Sequence, residues 1–195
     1  MTAPHPPDTD EVALLVGAAM DRAGVPYMIT GSVASTLLGE PRATNDIDVV
    51  LELPDARVHA LAEELGPDFA VDEESLRSAF RAGRSWNFFY LPYVTKVDLF
   101  PRKHGPFDEA AFDRRHFREL RPDGAGLFVM RAEDLILQKL LWYREGGEIS
   151  IVQWRDVLGV LHVSGPTLDR DHLATWAAGL GISDLLERAL AEAGI

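Results

Sequence analysis

The chain predicts an α/β (α+β) protein in which a mixed β-sheet is flanked by helices and a helical subdomain forms the C-terminal third. Three observations predict it. Short apolar runs at 27–29 and 46–51 alternate with helical stripes, an aromatic and β-branched stretch at 86–100 has the pattern of a hairpin, and from Arg131 onward the apolar period is helical throughout. The expected organisation is a Pro-rich, disordered tail at 1–8, a core at 9–131 and a helical subdomain at 132–195 packed on the core.

Apolar residues at 12, 15, 16, 19 and 20 make residues 10–23 a helix, stopped by Gly24 with Pro26 beyond. Residues 27–29 form a strand that halts at Thr30-Gly31-Ser32, and residues 33–38 start a helix at once, with Ser32 as its N-cap candidate. A turn over 39–45, holding Pro41, leads into the buried strand 46–51. Pro54-Asp55 opens a helix over 56–65 that Gly66-Pro67 ends. Residues 69–71 read as a short strand, 73–82 as an amphipathic helix, and 86–91 with 94–100 as a hairpin turning at Pro92-Tyr93. Arg114, Arg115, Arg118 and Arg121 flank one strand candidate, and 126–130 is another. Helices follow at 132–145, 150–163, 169–178 and 183–193.

The polar groups collect where the apolar runs end. Strand side chains alternate faces, so Asp46 and Asp48 point one way while Ile47, Val49 and Leu51 point the other. Two carboxylates in one small space repel, and a divalent cation with oxygen ligands, Mg²⁺ or Mn²⁺, relieves that repulsion. Such an ion needs a third acid and phosphate oxygens, and Asp98, within Val97-Asp98-Leu99, is the candidate acid. By period two, Lys96 and Phe100 share its face. The first free N–H groups of a helix bind anions, and Gly31 lets a phosphate approach the backbone, so Gly31-Ser32 is suited to a phosphate.

Gly31-Ser32, Asp46-Ile47-Asp48 and Asp98, in this order and each at the end of an apolar segment, resemble the DNA polymerase β-like nucleotidyltransferase superfamily. The segment from Gly39 through Arg42, Thr44, Asp46 and Asp48 is further similar to the Arg-x-Thr-x-Asp-Ile-Asp segment of AbiE-type toxins and their uncharacterised minimal relatives. Residues 133–139 and 153–156 resemble the helical half of the same relatives. The resemblance implies a nucleotidyltransferase-type sheet and a two-metal enzyme that moves an NMP group from a nucleoside triphosphate to a hydroxyl acceptor. It makes Asp46, Asp48 and Asp98 the catalytic metal ligands, and places Gly31, Ser32, Arg42, Lys96 and Lys139 around the nucleotide. From the residues alone, Lys139 reads first as a lysine whose stem covers Ile136 and Leu140, and one of Arg155 and Asp156 as half of a structural ion pair. Three functional readings stand: transfer to an RNA end in the manner of a toxin with a cognate antitoxin, transfer to a small molecule of the aminoglycoside kind, or nucleotide or partner binding without turnover.

Composition narrows the classes. With no cysteine there is no disulfide framework or thiolate metal site, and the six histidines lack metal spacing, which makes each a surface or helix-end residue. No apolar stretch reaches membrane-spanning length and no signal-like start is present, so the expected address is the cytoplasm. Neither a P-loop nor a dinucleotide-binding glycine pattern occurs. The net charge of −12 argues against a protein that coats nucleic acid. That charge is uneven: residues 77–103 hold six basic residues against Asp98, a local +5 that leaves −17 for the rest. The basic stretch reads first as a solvated face and second as a positive rim for triphosphate or RNA. The aromatic residues Trp86, Phe88, Phe89, Tyr90 and Tyr93 read first as strand core and second as a base-stacking surface.

Overall fold

The structure is a computed structural model that describes residues 9–195; the expected tail at 1–8 lies outside them. The chain divides into two compact units, one formed by residues up to Val33 together with Thr44–Val129, the other by Ala34–Ala43 together with Met130–Ile195.

The first unit is built on a six-stranded mixed sheet. Its strands are β1 (Tyr27–Thr30), β2 (Asp46–Leu51), β3 (Trp86–Tyr90), β4 (Thr95–Pro101), β5 (His116–Glu119) and β6 (Gly126–Val129), in the order β3-β4-β2-β1-β6-β5. β2 pairs with β4, and β1 with β6, in parallel; the other neighbours are antiparallel. Ile47, Val49 and Leu51 of β2 and Val97 and Leu99 of β4 are fully buried, as the alternating pattern requires. Helix α1 (Thr9–Ala23) buries Val12, Val16 and Met20. It passes so close to the strands at Gly17 that a Cβ there would stand 2.6 Å from the Tyr27 hydroxyl oxygen.

Helix α2 (Gly31–Leu38) follows β1 without a loop. It begins at Gly31, so Ser32 lies within its first turn and is not the cap that the sequence suggests. The reason is the left-handed backbone of Gly31, φ +61°, which makes the bend before Ser32. The helix expected at 56–65 divides into a 3₁₀ turn, Asp55–Arg57, and α3 (Val58–Leu65). The short strand expected at 69–71 reduces to one bridge between Phe69 and Tyr90. Helix α4 (Glu73–Arg81) is capped by Asp72, whose carboxylate accepts from the N–H groups of Glu74 and Ser75. Helix α5 (Pro106–Asp113) is additional to the helices expected from periodicity, and it carries the usual start signals of Pro106 in its first turn with Asp108 and Glu109.

The second unit contains α6 (Ala132–Glu145), α7 (Ile151–Ser164), α8 (Arg170–Leu180) and α9 (Ser183–Ala193). Ser150 and Asp169 cap α7 and α8 by accepting from the N–H groups of Gln153 and His172. Leu135, Ile136 and Leu140 of α6, Val157 and Val160 of α7, Leu173 of α8 and Leu185 of α9 form its core. No helix among the described residues is long and apolar enough to cross a membrane.

Candidate active site

Strand register places the three acids. In the β2–β4 pair Asp48 is the direct partner of Asp98, and Asp46 the partner of Lys96. Cross-strand partners share a face, so Asp46, Asp48, Asp98 and Lys96 all stand on the side opposite Ile47, Val49, Val97 and Leu99. On the other flank of β2, Thr30 is the partner of Asp48, and the chain turns at once through Gly31 into α2. Here glycine is required twice. Its φ of +61° is a conformation that L side chains rarely adopt, and any Cβ at this position would overlap the Asp48 carboxylate. The turn and the Asp48 carboxylate are thus in direct apposition. Ser32, the next residue, is half-buried in the first turn of α2.

Asp46 is held at the head of β2 by Thr44, whose hydroxyl donates to the Asp46 carbonyl oxygen at 3.3 Å and lies 3.5 Å from its N–H. Thr44 is tied in turn by the Thr9 hydroxyl, which donates to its carbonyl oxygen at 2.6 Å. The Lys96 ammonium lies 2.8 Å from Asp98 Oδ1. That contact outweighs burial, the next-largest effect and an opposing one, and the weaker fields of Asp98, Asp46 and Asp48 add to it, so the lysine is held above its usual pKa. One cation thus responds to all three carboxylates.

Among the described residues, no three His, Cys, Asp or Glu side chains already stand in a metal-binding arrangement. The donor chemistry nevertheless fits Mg²⁺ or Mn²⁺. Three carboxylates, all oxygen ligands, occupy one face, and the Lys96 ammonium stands 2.8 Å from one of them as a positive charge.

Arg42 and Lys139 are in the second unit, where both engage Asp156. Arg42 donates from Nε and Nη2 to the two Asp156 oxygens at 2.8 and 3.1 Å, and Lys139 Nζ donates to Oδ2 at 2.8 Å and to Gln153 Oε1 at 3.2 Å. Lys139 is only 2% exposed, so its ammonium does not reach out to water past Ile136 and Leu140. Burial alone would raise the Asp156 pKa; the hydrogen bonds from Arg42 and Lys139 outweigh it and hold the carboxyl below its ordinary value. His172, expected at the surface or a helix end, lies in the first turn of α8 with its side chain 10% exposed and Nε2 2.6 Å from Asp134 Oδ1.

The basic segment is largely ion-paired surface. Arg77 and Arg81 approach Asp55, and Arg102 donates to Glu52 and Asp113. Arg84 and Lys103 are exposed. A cleft of about 310 Å³ lined by Leu51, Val58, Arg77, Phe80, Arg81 and Arg102 lies at the C-terminal ends of β2 and β4, the opposite end of β2 from Asp46.

One side chain on the acidic face, Asn87, carries no signal of its own in the sequence, and Phe89, one of the aromatic cluster, proves to share that face. Asn87 is the β3 partner of Asp98, and Phe89 the β3 partner of Lys96. A hairpin centred between Pro92 and Tyr93, as the sequence suggests, already dictates that pairing.

The six-stranded mixed sheet flanked by helices matches the fold of solved nucleotidyltransferase structures. The solution structure of the antibiotic-resistance factor ANT(2'')-Ia matches at a TM-score of 0.50 and 17% identity, over 95% of this chain and 100% of that one. An antigenic nucleotidyltransferase-like protein from Paracoccidioides brasiliensis matches at a TM-score of 0.55 and 18% identity, over 97% and 94%. ANT(2'')-Ia in complex with adenylyl-2''-tobramycin matches at 0.52 and 16%, over 88% and 97%. No protein-family model matches this chain, and no curated protein does. At these identities the likeness is one of fold.

Proposed function

We propose that the protein is a nucleotidyltransferase that moves an NMP group from a nucleoside triphosphate to a hydroxyl acceptor. One observation carries this reading: Asp46, Asp48 and Asp98 share one sheet face beside the Gly31 turn. The acceptor oxygen attacks the α-phosphorus, the bond from that phosphorus to the bridging oxygen breaks, and pyrophosphate leaves. Asp98 accepts the acceptor's proton, because its carboxylate stands apart from the Asp46 and Asp48 pair, on the neighbouring strand β4, and retains an oxygen beyond the one that Lys96 touches. The Gly31 and Ser32 N–H groups and the Ser32 hydroxyl hold the β- and γ-phosphates, and Lys96 neutralises the leaving pyrophosphate. For Arg42 and Lys139 a phosphate role requires release from Asp156. Mg²⁺ or Mn²⁺, held by Asp46, Asp48 and Asp98, would supply charge stabilisation at the entering and leaving oxygens.

The test is Mg²⁺-dependent pyrophosphate release with each NTP and, as acceptors, bulk tRNA or tobramycin. Asp46→Ala and Asp48→Ala should abolish release while leaving the melting temperature near that of the parent. Parent-like turnover in both variants would remove these acids from the mechanism. A small-molecule acceptor is the second reading, favoured by the likeness to ANT(2'')-Ia bound to adenylyl-2''-tobramycin. The two acceptor arms of the assay separate it from the first.

A further inference from the structure

The sheet register extends the acidic face outward to its edge. Thr30, Asp48, Asp98 and Asn87 form one row across β1, β2, β4 and β3, and Asp46, Lys96 and Phe89 form the next. Asn87 and Phe89 therefore stand on the same face as the acids, on the Asp98 side, along the edge strand of the sheet. Asn87 is exposed, Phe89 is 38% exposed, and Phe100, two residues past Asp98 on the same face, is 37% exposed. Phe88, of opposite parity, is 1% exposed and packs against Phe69 and Trp86. Core packing thus accounts for Phe88 and leaves Phe89 and Phe100 unexplained.

We propose that Phe89, Asn87 and Phe100 form the acceptor subsite of the transferase, and that it takes the unstacked terminal nucleotide of a single-stranded RNA. The proposal rests on the nucleotidyltransferase reading above and adds the acceptor's class. Exposed rings beside a carboxylate give a base a face to stack on whatever its identity, and the Asn87 amide can both donate to and accept from a base edge. Charge selects the same acceptor. Arg84 precedes β3 and Lys103 follows β4 at the same end of this antiparallel pair, and both are exposed. Arg77, Arg81 and Arg102 of this segment are held by Asp55, Glu52 and Asp113, and the exposed Arg84 and Lys103 are the cations that suit backbone phosphates.

Binding of a short fluorescein-labelled single-stranded RNA, followed by anisotropy at low salt without metal or NTP, tests the subsite apart from turnover. Phe89→Leu should weaken binding by roughly 5- to 150-fold, the range expected for loss of one base–aromatic stack, and Phe89→Trp should restore it. Melting temperatures near the parent's in both variants show that folding is unchanged. Equal RNA affinity in the parent and Phe89→Leu overturns the proposal, as does tobramycin binding that Phe89→Leu weakens. RNA binding that depends on Phe89 in a protein that releases no pyrophosphate leaves the RNA subsite standing and removes the transferase reading. Pyrophosphate release with a tRNA acceptor that is unaltered in Phe89→Leu does the reverse.

Discussion

The Lys96 ammonium lies 2.8 Å from Asp98 Oδ1, on the face that also holds Asp46 and Asp48. In the proposed reaction its charge would compete there with a divalent cation and also serve the phosphates. Lys96→Met is therefore expected to move two affinities in opposite directions. Mn²⁺ binding without nucleotide, read from the electron paramagnetic resonance signal of free Mn²⁺, should tighten by up to about fivefold, and NTP affinity should fall. Unchanged Mn²⁺ affinity would show that the ammonium does not contend for the carboxylates. The lysine's raised pKa also sets a pH window: its contribution to stability is complete below the ordinary 10.5 and is lost as pH rises through the higher folded value.

Gly31→Ala places a methyl group where the Asp48 carboxylate lies and forces an L residue to φ +61°. The backbone conformation alone costs roughly 1–2 kcal/mol, which for a chain of this size lowers the melting temperature by roughly 2–8 °C. Displacement of Asp48 should also remove transfer activity at temperatures where the variant is still folded. Calorimetry paired with a low-temperature assay separates the two effects, and full activity would place the carboxylate elsewhere.

Asp156 binds two cations of unequal burial. Asp156→Ala takes the carboxylate partner from the buried Lys139 ammonium, at a cost of roughly 3–5 kcal/mol by urea unfolding. Lys139→Met leaves Asp156 bound twice by Arg42 and should cost less. Because the folded pKa of Asp156 is depressed, its contribution is present above the unfolded value of about 3.8 and fades as pH falls through the folded one. Acid-unfolding curves of Asp156→Asn should accordingly be flatter below that pH.

Tyr27 is 1% exposed, and its hydroxyl oxygen accepts from the Phe128 N–H at 3.4 Å. Burial first, and the Asp21 charge second, push its phenol from 10.0 up to about 12. The folded state thus holds this proton more tightly than the unfolded chain. Stability should decline as pH rises from the unfolded value toward the folded one, by about 2–3 kcal/mol in all. Tyr27→Phe should remove that alkaline decline, as measured by urea unfolding across the window.

Local regularities made part of the site legible in the sequence. Period two alone puts Asp46 with Asp48 and Lys96 with Asp98, and a hairpin centre at Pro92-Tyr93 places Asn87 opposite Asp98. What no local rule supplies is the alignment of β4 beside β2, which brings Asp98 level with Asp48. The bond from Arg42 to Asp156 spans 114 positions and is likewise set by tertiary packing. Ser32 was misplaced because helix propensity does not register the left-handed residue in front of it. Helix α5 was passed over because a short amphipathic segment beside a charged run has little periodicity to read, even with Pro106 at its start.

Asp48 and Asp98 lie on adjacent parallel strands whose side chains reverse direction at every residue. A misfolded molecule in which either strand had slid by one position would point that carboxylate into the hydrocarbon interior. Such a molecule would be wholly inert rather than partly impaired. Specific activity after refolding should therefore count correctly assembled molecules, with no graded population between active and dead.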